Sequence, residues 1–391
     1  ILIINIFAAL ATGGAVVAGQ YIGRKDEKSA CKAATQLVWF VSLSAVAIMI
    51  LVYFGKDIIL NQVFGHITAE VKGHADIYLL IVTASIPFIA LYNGGAAIFR
   101  AMGNSQVSMR VSLLMNAINV TGNAILVFGL RIGTAGVAIP TLISRMVAAI
   151  VITVLLCNQT RILHIERTRK IRFDGRMIRK ILAIGVPNGL ENSMFQLGKI
   201  LVLSLVSTFG TYAIAANAVS NAIALFQILP GMAISLAITT VISQCVGAND
   251  YEQVHYYLKK LLAIIYVAMV GTVALIFLAL PLILKAYNLS DQTAAAATNI
   301  IHFHGISAMI IWPLSFALPA AYRAAGDAKA CMYTSIVSMW IFRIGFSYLV
   351  GKYMGLGVFG VWVAMVIDWV VRAICFIIRY FNGKWKHGAI V

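Results

Sequence analysis

The sequence predicts an all-α polytopic membrane protein built from two pseudo-symmetric six-helix lobes. Three observations carry that prediction. The 391-residue chain is 61% hydrophobic and only 11% charged, with a mean hydropathy of +0.92, whereas soluble domains carry roughly 25% charged residues. Its apolar runs reach the ~20 residues that cross a bilayer. The chain also repeats itself: RAMGNSQVSMR from Arg100 returns as RAAGDAKACMY from Arg323, GTAGVAIP around Gly136 as GVFGVWVA around Gly360, and GQYIGRKDEKSA from Gly19 as SQCVGANDYEQV from Ser243. The offset is 223 or 224 residues each time, the signature of two homologous halves. The alternation of a membrane barrel is absent, so the backbone must satisfy itself in helices.

The apolar segments predict eleven helices: Ile1–Ile22, Ala34–Phe54, Ile77–Phe99, Val111–Leu130, Gly133–Cys157, Ile181–Phe209, Ala213–Val246, Leu261–Leu284, Ala295–Tyr322, Cys331–Val350 and Gly357–Tyr380. Residues 1–157 form the N-terminal lobe, 158–180 a basic linker, 181–380 the C-terminal lobe and 381–391 a tail. The second half starts near Phe173, so the offset puts the start of the first about 50 residues before Ile1. The sequence therefore reads as a fragment lacking one whole helix and part of the next. Restoring it gives six helices per half, hence a parallel repeat about the membrane normal.

The net charge of +17 follows from sidedness rather than nucleic-acid binding. Lys56, Lys72, Arg131, Lys285 and Lys352 fall on one side, and Arg145, Lys199, Arg343 and Arg372 lie within apolar segments. Every other Lys and Arg, including Arg161, Arg167, Arg169, Lys170 and Arg172 of the linker, falls on the opposite side. Cytoplasmic loops hold such an excess, so the linker and C-terminus are expected in the cytoplasm of a multi-pass cell-membrane protein. No signal peptide is visible. The five cysteines lack metal or disulfide spacing and read as buried thiols. All seven prolines lie in or beside apolar segments, where they are either tolerated or act as hinges; Pro187, for instance, would free the carbonyl of Ala183.

Ionisable groups at bilayer depth cost at least ~2.5–3.5 kcal/mol and face a cavity or a partner. Glu191, Lys199, Arg343 and Asp368 are such groups, and their charges sum to zero, as expected of a mutually paired set. Asp368 and Arg372 are spaced for a same-helix pair. Asn188, Glu191, Asn192, Gln196 and Lys199 share one helix face. That stripe reads either as interhelical glue or as a polar cavity wall in which Glu191 exchanges a proton for a cation. A second stripe, Ser112, Asn116, Asn119 and Asn123, joins Thr141 of the next helix. Asn119, Asn123 and Thr141 offer hard oxygens for a Na⁺ ion, or hydrogen bonds between helices. Their second-half equivalents are Arg343, Ser347 and Met365, which cannot hold a cation the same way. His302 and His304 read as structural or pH-sensing. Nothing resembles a catalytic nucleophile, a metal-ligand set or a phosphate loop, which points away from an enzyme and from a cofactor.

At the level of motifs the chain resembles the multidrug and toxic compound extrusion (MATE) family, bacterial type. The matching stretches are Gln-x-x-Gly at Gly23 and Gly247, RAMGN and RAAGD, GTAGVAIPT, IGVPNGLE at Ile184–Glu191, and STFGTYAIAANAVS at Ser207–Ser220. The resemblance spans essentially the whole chain apart from the family's first helix. It implies two six-helix lobes around a cavity, alternating access, and export of organic cations or amphipathic drugs coupled to Na⁺ or H⁺, by a monomer in lipid. It also implies a first-lobe cation site of Asn, an acid four residues on and a Thr eighteen beyond. Here these positions are Asn119, Asn123 and Thr141, with an amide in place of the acid; the family's other acid there lies on its first helix. Family members with acids on the seventh and tenth helices match only loosely, since Glu191 is off the usual position and Ala295–Tyr322 has no acid. A flippase for a lipid-linked precursor, from the same superfamily, would use a more cationic cavity, for which Lys199 and Arg343 provide some footing. A non-transporting scaffold or receptor would leave the polar stripes without a role.

Overall fold

Four helix starts in this chain are set by side-chain caps rather than by hydropathy. The computed structural model describes residues 1–63, 65–168 and 170–391; Arg169 of the basic linker lies outside the described residues. The chain divides into two compact units, Ile1–Gly189 and Leu190–Val391. The first contains α1 (Leu2–Gly23), α2 (Glu27–Phe54), the single turn α3 (Lys56–Ile58), α4 (Ala69–Ala84), α5 (Ile86–Ala101), α6 (Ser105–Asn123) and α7 (Ala135–Leu156). The division falls inside α8 (Gly175–Ser207). The second unit continues with α9 (Thr211–Gly247), α10 (Tyr251–Ala286), α11 (Asp291–Trp312), α12 (Leu318–Ala324), α13 (Ala328–Ser338) and α14 (Val358–Asn382).

All eleven expected segments are helical, but several start earlier than their apolar runs. The Asp26 carboxylate accepts from Ser29 N, so α2 begins at Glu27 rather than Ala34. Asp250 does the same for Gln253 N, so α10 begins at Tyr251 rather than Leu261. Thr68 and Ser290 cap α4 and α11. Each cap satisfies a backbone donor that the helix leaves orphaned, and polar first turns follow it. Asp26 and Asp250 are repeat partners, and the repeat extends to the backbone. Lys25 and Asn249, Gly103 and Gly326, and Gly133 and Gly357 are all left-handed, at φ between 55 and 94°. A π-helical turn at Ala124–Gly129 recurs at Ser347–Tyr353.

Among the described residues nine helices are long and apolar enough to cross a membrane, or ten counting the α4–α5 pair, bent by 42° around Ser85. Pro87 stands just after that break. Pro140, Pro187, Pro230 and Pro281 lie inside α7, α8, α9 and α10. The 33-residue α8, which carries the Glu191 stripe, is not among the nine.

Within the first unit, α1 packs on α2 and α5, and α6 on α7. Small residues allow the backbones to touch: a Cβ on Gly13 would stand 2.5 Å from the Ile181 carbonyl oxygen, and one on Gly122 2.7 Å from Pro140 Cβ. The linker is tied to α2. Gln36 donates to the Arg172 carbonyl and accepts from Asp174 N, and Thr35 accepts from Glu166 N. Asp174 pairs with Lys32 at 2.6 Å, and the hydrogen bond from that ammonium holds its carboxyl below the usual range. Of the five cysteines expected to be buried, Cys31, Cys245 and Cys331 are, whereas Cys157 and Cys375 are exposed; Cys31 donates to the Ile162 carbonyl. Within the second unit, α9 packs on α10 and α11, and α14 on α11 and on the π-helical turns Met339–Gly345 and Ser347–Tyr353.

Candidate functional site

The first unit holds a cluster of neutral oxygens. The Gly122–Pro140 contact, together with the close approach of Gly136 to the Leu126 carbonyl, brings α6 and α7 near enough for their polar side chains to meet. Asn123 Nδ2 donates to Asn119 Oδ1 at 2.8 Å, Asn119 Nδ2 to Thr141 Oγ1 at 3.3 Å, and Thr141 Oγ1 to the Val137 carbonyl at 3.2 Å. The Asn123 carboxamide oxygen is buried without a hydrogen-bond partner. A buried acceptor left open is costly and marks a place for a proton donor or a cation. Asn116, in the same stripe, is exposed. Arg145, also on α7, donates to Ser85 Oγ at the α4–α5 break.

The second unit holds a charged cluster, and its pairing differs from the expectation of one mutually neutral set. Glu191 pairs with Arg323 of the RAAGD motif at 3.4 Å. Asp368 pairs with Arg372 at 3.0 Å, both buried. That pair follows the four-residue spacing on α14, while Arg323 comes from a segment read as a loop charge. Among the described residues Lys199 and Arg343 have no carboxylate within ion-pair distance. They stand instead over one aromatic ring: Lys199 Nζ lies 4.8 Å and Arg343 Cζ 4.9 Å from the Phe195 centroid, with Arg372 Cζ at 5.9 Å. Glu191, Phe195 and Lys199 are successive i, i+4 positions of α8, so the sequence signal for Phe195 was its place between two charges.

Around this ring the buried pair is further anchored. Ser338 Oγ donates to Asp368 Oδ1, Arg372 Nη2 donates to the Ser335 carbonyl at 3.2 Å, and Asp368 Oδ2 is left without a partner. Arg343 lies in the π-helical turn Met339–Gly345, a geometry that often accompanies functional positions. Ser347 Oγ donates to the Arg343 carbonyl. Lys199 and Arg343 line a cavity of about 380 Å³ with Asn217, Asn221, Trp362 and Met365. The second-half equivalents of the amide cluster, Arg343 and Met365, thus meet at one cavity. On α8, Asn188 is buried while Asn192 and Gln196 are half-buried.

His304 is buried, with its ring edge-on to Trp362 and Trp369. Its Nδ1 lies 2.6 Å from Gln227 Oε1, and Gln227 Nε2 donates to the Ile301 carbonyl. The amide oxygen must then accept, so Nδ1 carries the proton. His302 packs edge-on to Phe277.

A family model, MatE, matches residues 1–125 and 187–349. The chain belongs to the MatE family. That membership makes it a MATE transporter and a multi-pass membrane protein, in line with its helices and composition. It is 28% identical to the uncharacterized transporter YisQ of Bacillus subtilis over 98% of this chain and 84% of that one. It is 22% identical to a probable multidrug resistance protein, NorM, of Thermotoga maritima over 99% of this chain and 83% of that one. Its fold matches an outward-facing multidrug resistance MATE transporter of the MOP superfamily, with a TM-score of 0.91 at 22% identity, covering 97% of this chain and 85% of the other. It also matches a MOP superfamily transporter from Pyrococcus furiosus, characterised by the reverse polarity of its binding pocket, with a TM-score of 0.90 at 21% identity and the same coverage.

Proposed function

We propose that this MATE transporter is a secondary active exporter of amphipathic drugs and organic cations, working by alternating access and driven by Na⁺ or H⁺ influx. In this reading its linker and C-terminal tail face the cytoplasm, the side on which its basic residues gather. Family membership and the multidrug resistance names of relatives support export. The observation that carries the coupling is the amide cluster. Asn119, Asn123 and Thr141 present neutral oxygens, one of them open, and no group among the three titrates. Such a set suits a hard monovalent cation such as Na⁺ better than a proton. Proton coupling would fall to Glu191 with Arg323, or to Asp368.

The test is dye efflux from proteoliposomes, driven separately by a Na⁺ gradient and by a pH gradient. Na⁺-driven efflux that falls in Asn119→Ala and Thr141→Ala supports the cluster. Efflux driven by pH alone moves coupling to Glu191 or Asp368. A second reading, movement of a lipid-linked anionic precursor, is favoured by two observations: among the described residues Lys199 and Arg343 stand without carboxylate partners, and the P. furiosus neighbour has a pocket of reverse polarity. Absence of efflux under both gradients, with gradient-independent movement of a prenyl phosphate, would favour it. Absence of both would leave a scaffold or receptor.

A further inference from the structure

Two cations of the second unit, Lys199 and Arg343, have no carboxylate at ion-pair distance among the described residues. Arg323 has Glu191 and Arg372 has Asp368. Lys199 and Arg343 both stand over the Phe195 ring, and two cations on one ring repel each other. A cation–π contact contributes ~0.5–2 kcal/mol, while a charge at bilayer depth costs at least ~2.5–3.5 kcal/mol. The ring therefore does not fully compensate either cation.

Both cations face the same cavity of about 380 Å³. Its remaining polar lining has a defined sense. Trp362 Nε1 lies 3.0 Å from Asn217 Oδ1, and an indole N–H can only donate. The Asn217 oxygen is thereby engaged, leaving its NH₂ group as the polar function available to a ligand. A planar guanidinium fork, an ammonium and an amide donor then line the same cavity as Leu203, Leu225 and Val361. Pockets of this size, mostly apolar with a few convergent polar groups, hold small organic ligands.

We infer that this cavity is a binding subsite for the oxyanion head of an amphipathic organic anion (a carboxylate, sulfonate or phosphate), with Arg343 and Lys199 on the oxygens, Asn217 donating beside them and the apolar body along Leu225. The same repeat position that holds neutral oxygens in the first unit, at Asn119, holds the cation Arg343 in the second. The subsite rests on the transport reading for its role as a cargo site, but its existence is tested by binding alone.

The experiment is calorimetric titration of the purified full chain in detergent with naphthalene-2-sulfonate, and with naphthalene-2-methylammonium as its cationic counterpart. Arg343→Gln and Lys199→Gln should each weaken sulfonate binding about tenfold or more, whereas Arg343→Lys should recover part of it and Lys352→Gln should leave it unchanged. Raised salt should weaken the sulfonate and not the ammonium compound. Thermal unfolding of each variant confirms that it is folded. Sulfonate affinity unchanged in both Gln variants, or a preference for the ammonium compound that depends on Lys199 and Arg343, overturns the inference. Competition by farnesyl phosphate separates a lipid-linked source of the oxyanion from a water-soluble one, and displacement by it supports the subsite. Sulfonate binding without gradient-driven efflux would count against the transport reading and leave the subsite standing; efflux without sulfonate binding would do the reverse.

Discussion

Replacing Asp368 with Asn removes one buried charge and almost nothing else. The wild-type carboxylate is fully buried and Arg372 is 2% exposed. Oδ1 accepts from Arg372 Nε at 3.0 Å and from Ser338 Oγ. Asn keeps the shape and an acceptor, so both hydrogen bonds survive in weaker form. The guanidinium, however, loses its counter-charge. It retains the Ser335 carbonyl and the Phe316 ring at 5.2 Å, and neither neutralises it. Breaking a buried ion pair by removing one partner costs ~3–5 kcal/mol. Because Asn remains an acceptor, the lower end, about 3 kcal/mol, is expected, a large share of a typical stability of ~5–15 kcal/mol. Asp368→Leu combined with Arg372→Met leaves no buried charge behind and should lie within ~1 kcal/mol of wild type. With each single variant losing ~3 kcal/mol or more, the coupling energy from the Asp368→Leu and Arg372→Met cycle should then be about 5 kcal/mol. Reversible unfolding in mixed micelles measures all the variants. An Asp368→Asn protein as stable as wild type, or a double variant as unstable as the sum of its singles, would refute the argument that the pair is held by mutual neutralisation.

Four further outcomes are expected. Glu191→Gln should abolish drug resistance while leaving expression intact, because it removes the ionisable partner of Arg323; full resistance in that variant would remove Glu191 from coupling. Asn123→Asp should make transport pH-dependent by placing a titratable group at the open oxygen, and an unchanged pH profile of efflux would count against the amide cluster. Gly326→Ala should destabilise more than Gly103→Ala: both backbones are left-handed, but a Cβ at 326 would meet the Gly388 carbonyl while one at 103 meets open space. Left-handed strain alone costs ~1–2 kcal/mol, so thermal unfolding should separate the two, and equal losses would mean the C-terminal segment yields freely. Finally, Asp174 has a depressed carboxyl pKa, so its contribution is present above the ordinary value of about 4 and is lost as pH falls below it. The pair is partly exposed and contributes below ~1 kcal/mol. Asp174→Asn should therefore lower the unfolding temperature slightly at pH 7 and by less at pH 3; a deficit of equal size at both would place the effect elsewhere.

The amino-acid sequence alone determined the helical membrane class, the eleven helical segments and the two-fold repeat, because lipid leaves the backbone few alternatives and hydropathy reports them directly. It also contained the caps, since Asp26 and Asp250 precede helices whose first turns are polar, although apolarity alone places those starts too late. The same-helix Asp368–Arg372 pair was legible because i, i+4 spacing is a property of one helix. The amide cluster was legible as two stripes, but the sense of its hydrogen bonds and the open Asn123 oxygen were not. What only the tertiary structure decided was which charge meets which. Arg323 reaches Glu191 from 132 residues away, Phe195 gathers Lys199 and Arg343, and Trp362 turns Asn217 by claiming its oxygen. Net neutrality of Glu191, Lys199, Arg343 and Asp368 suggested one paired set, yet charge summed along a chain carries no distances. Ion pairing falls off with separation and depends on desolvation, and both are set by how helices from distant parts of the sequence pack.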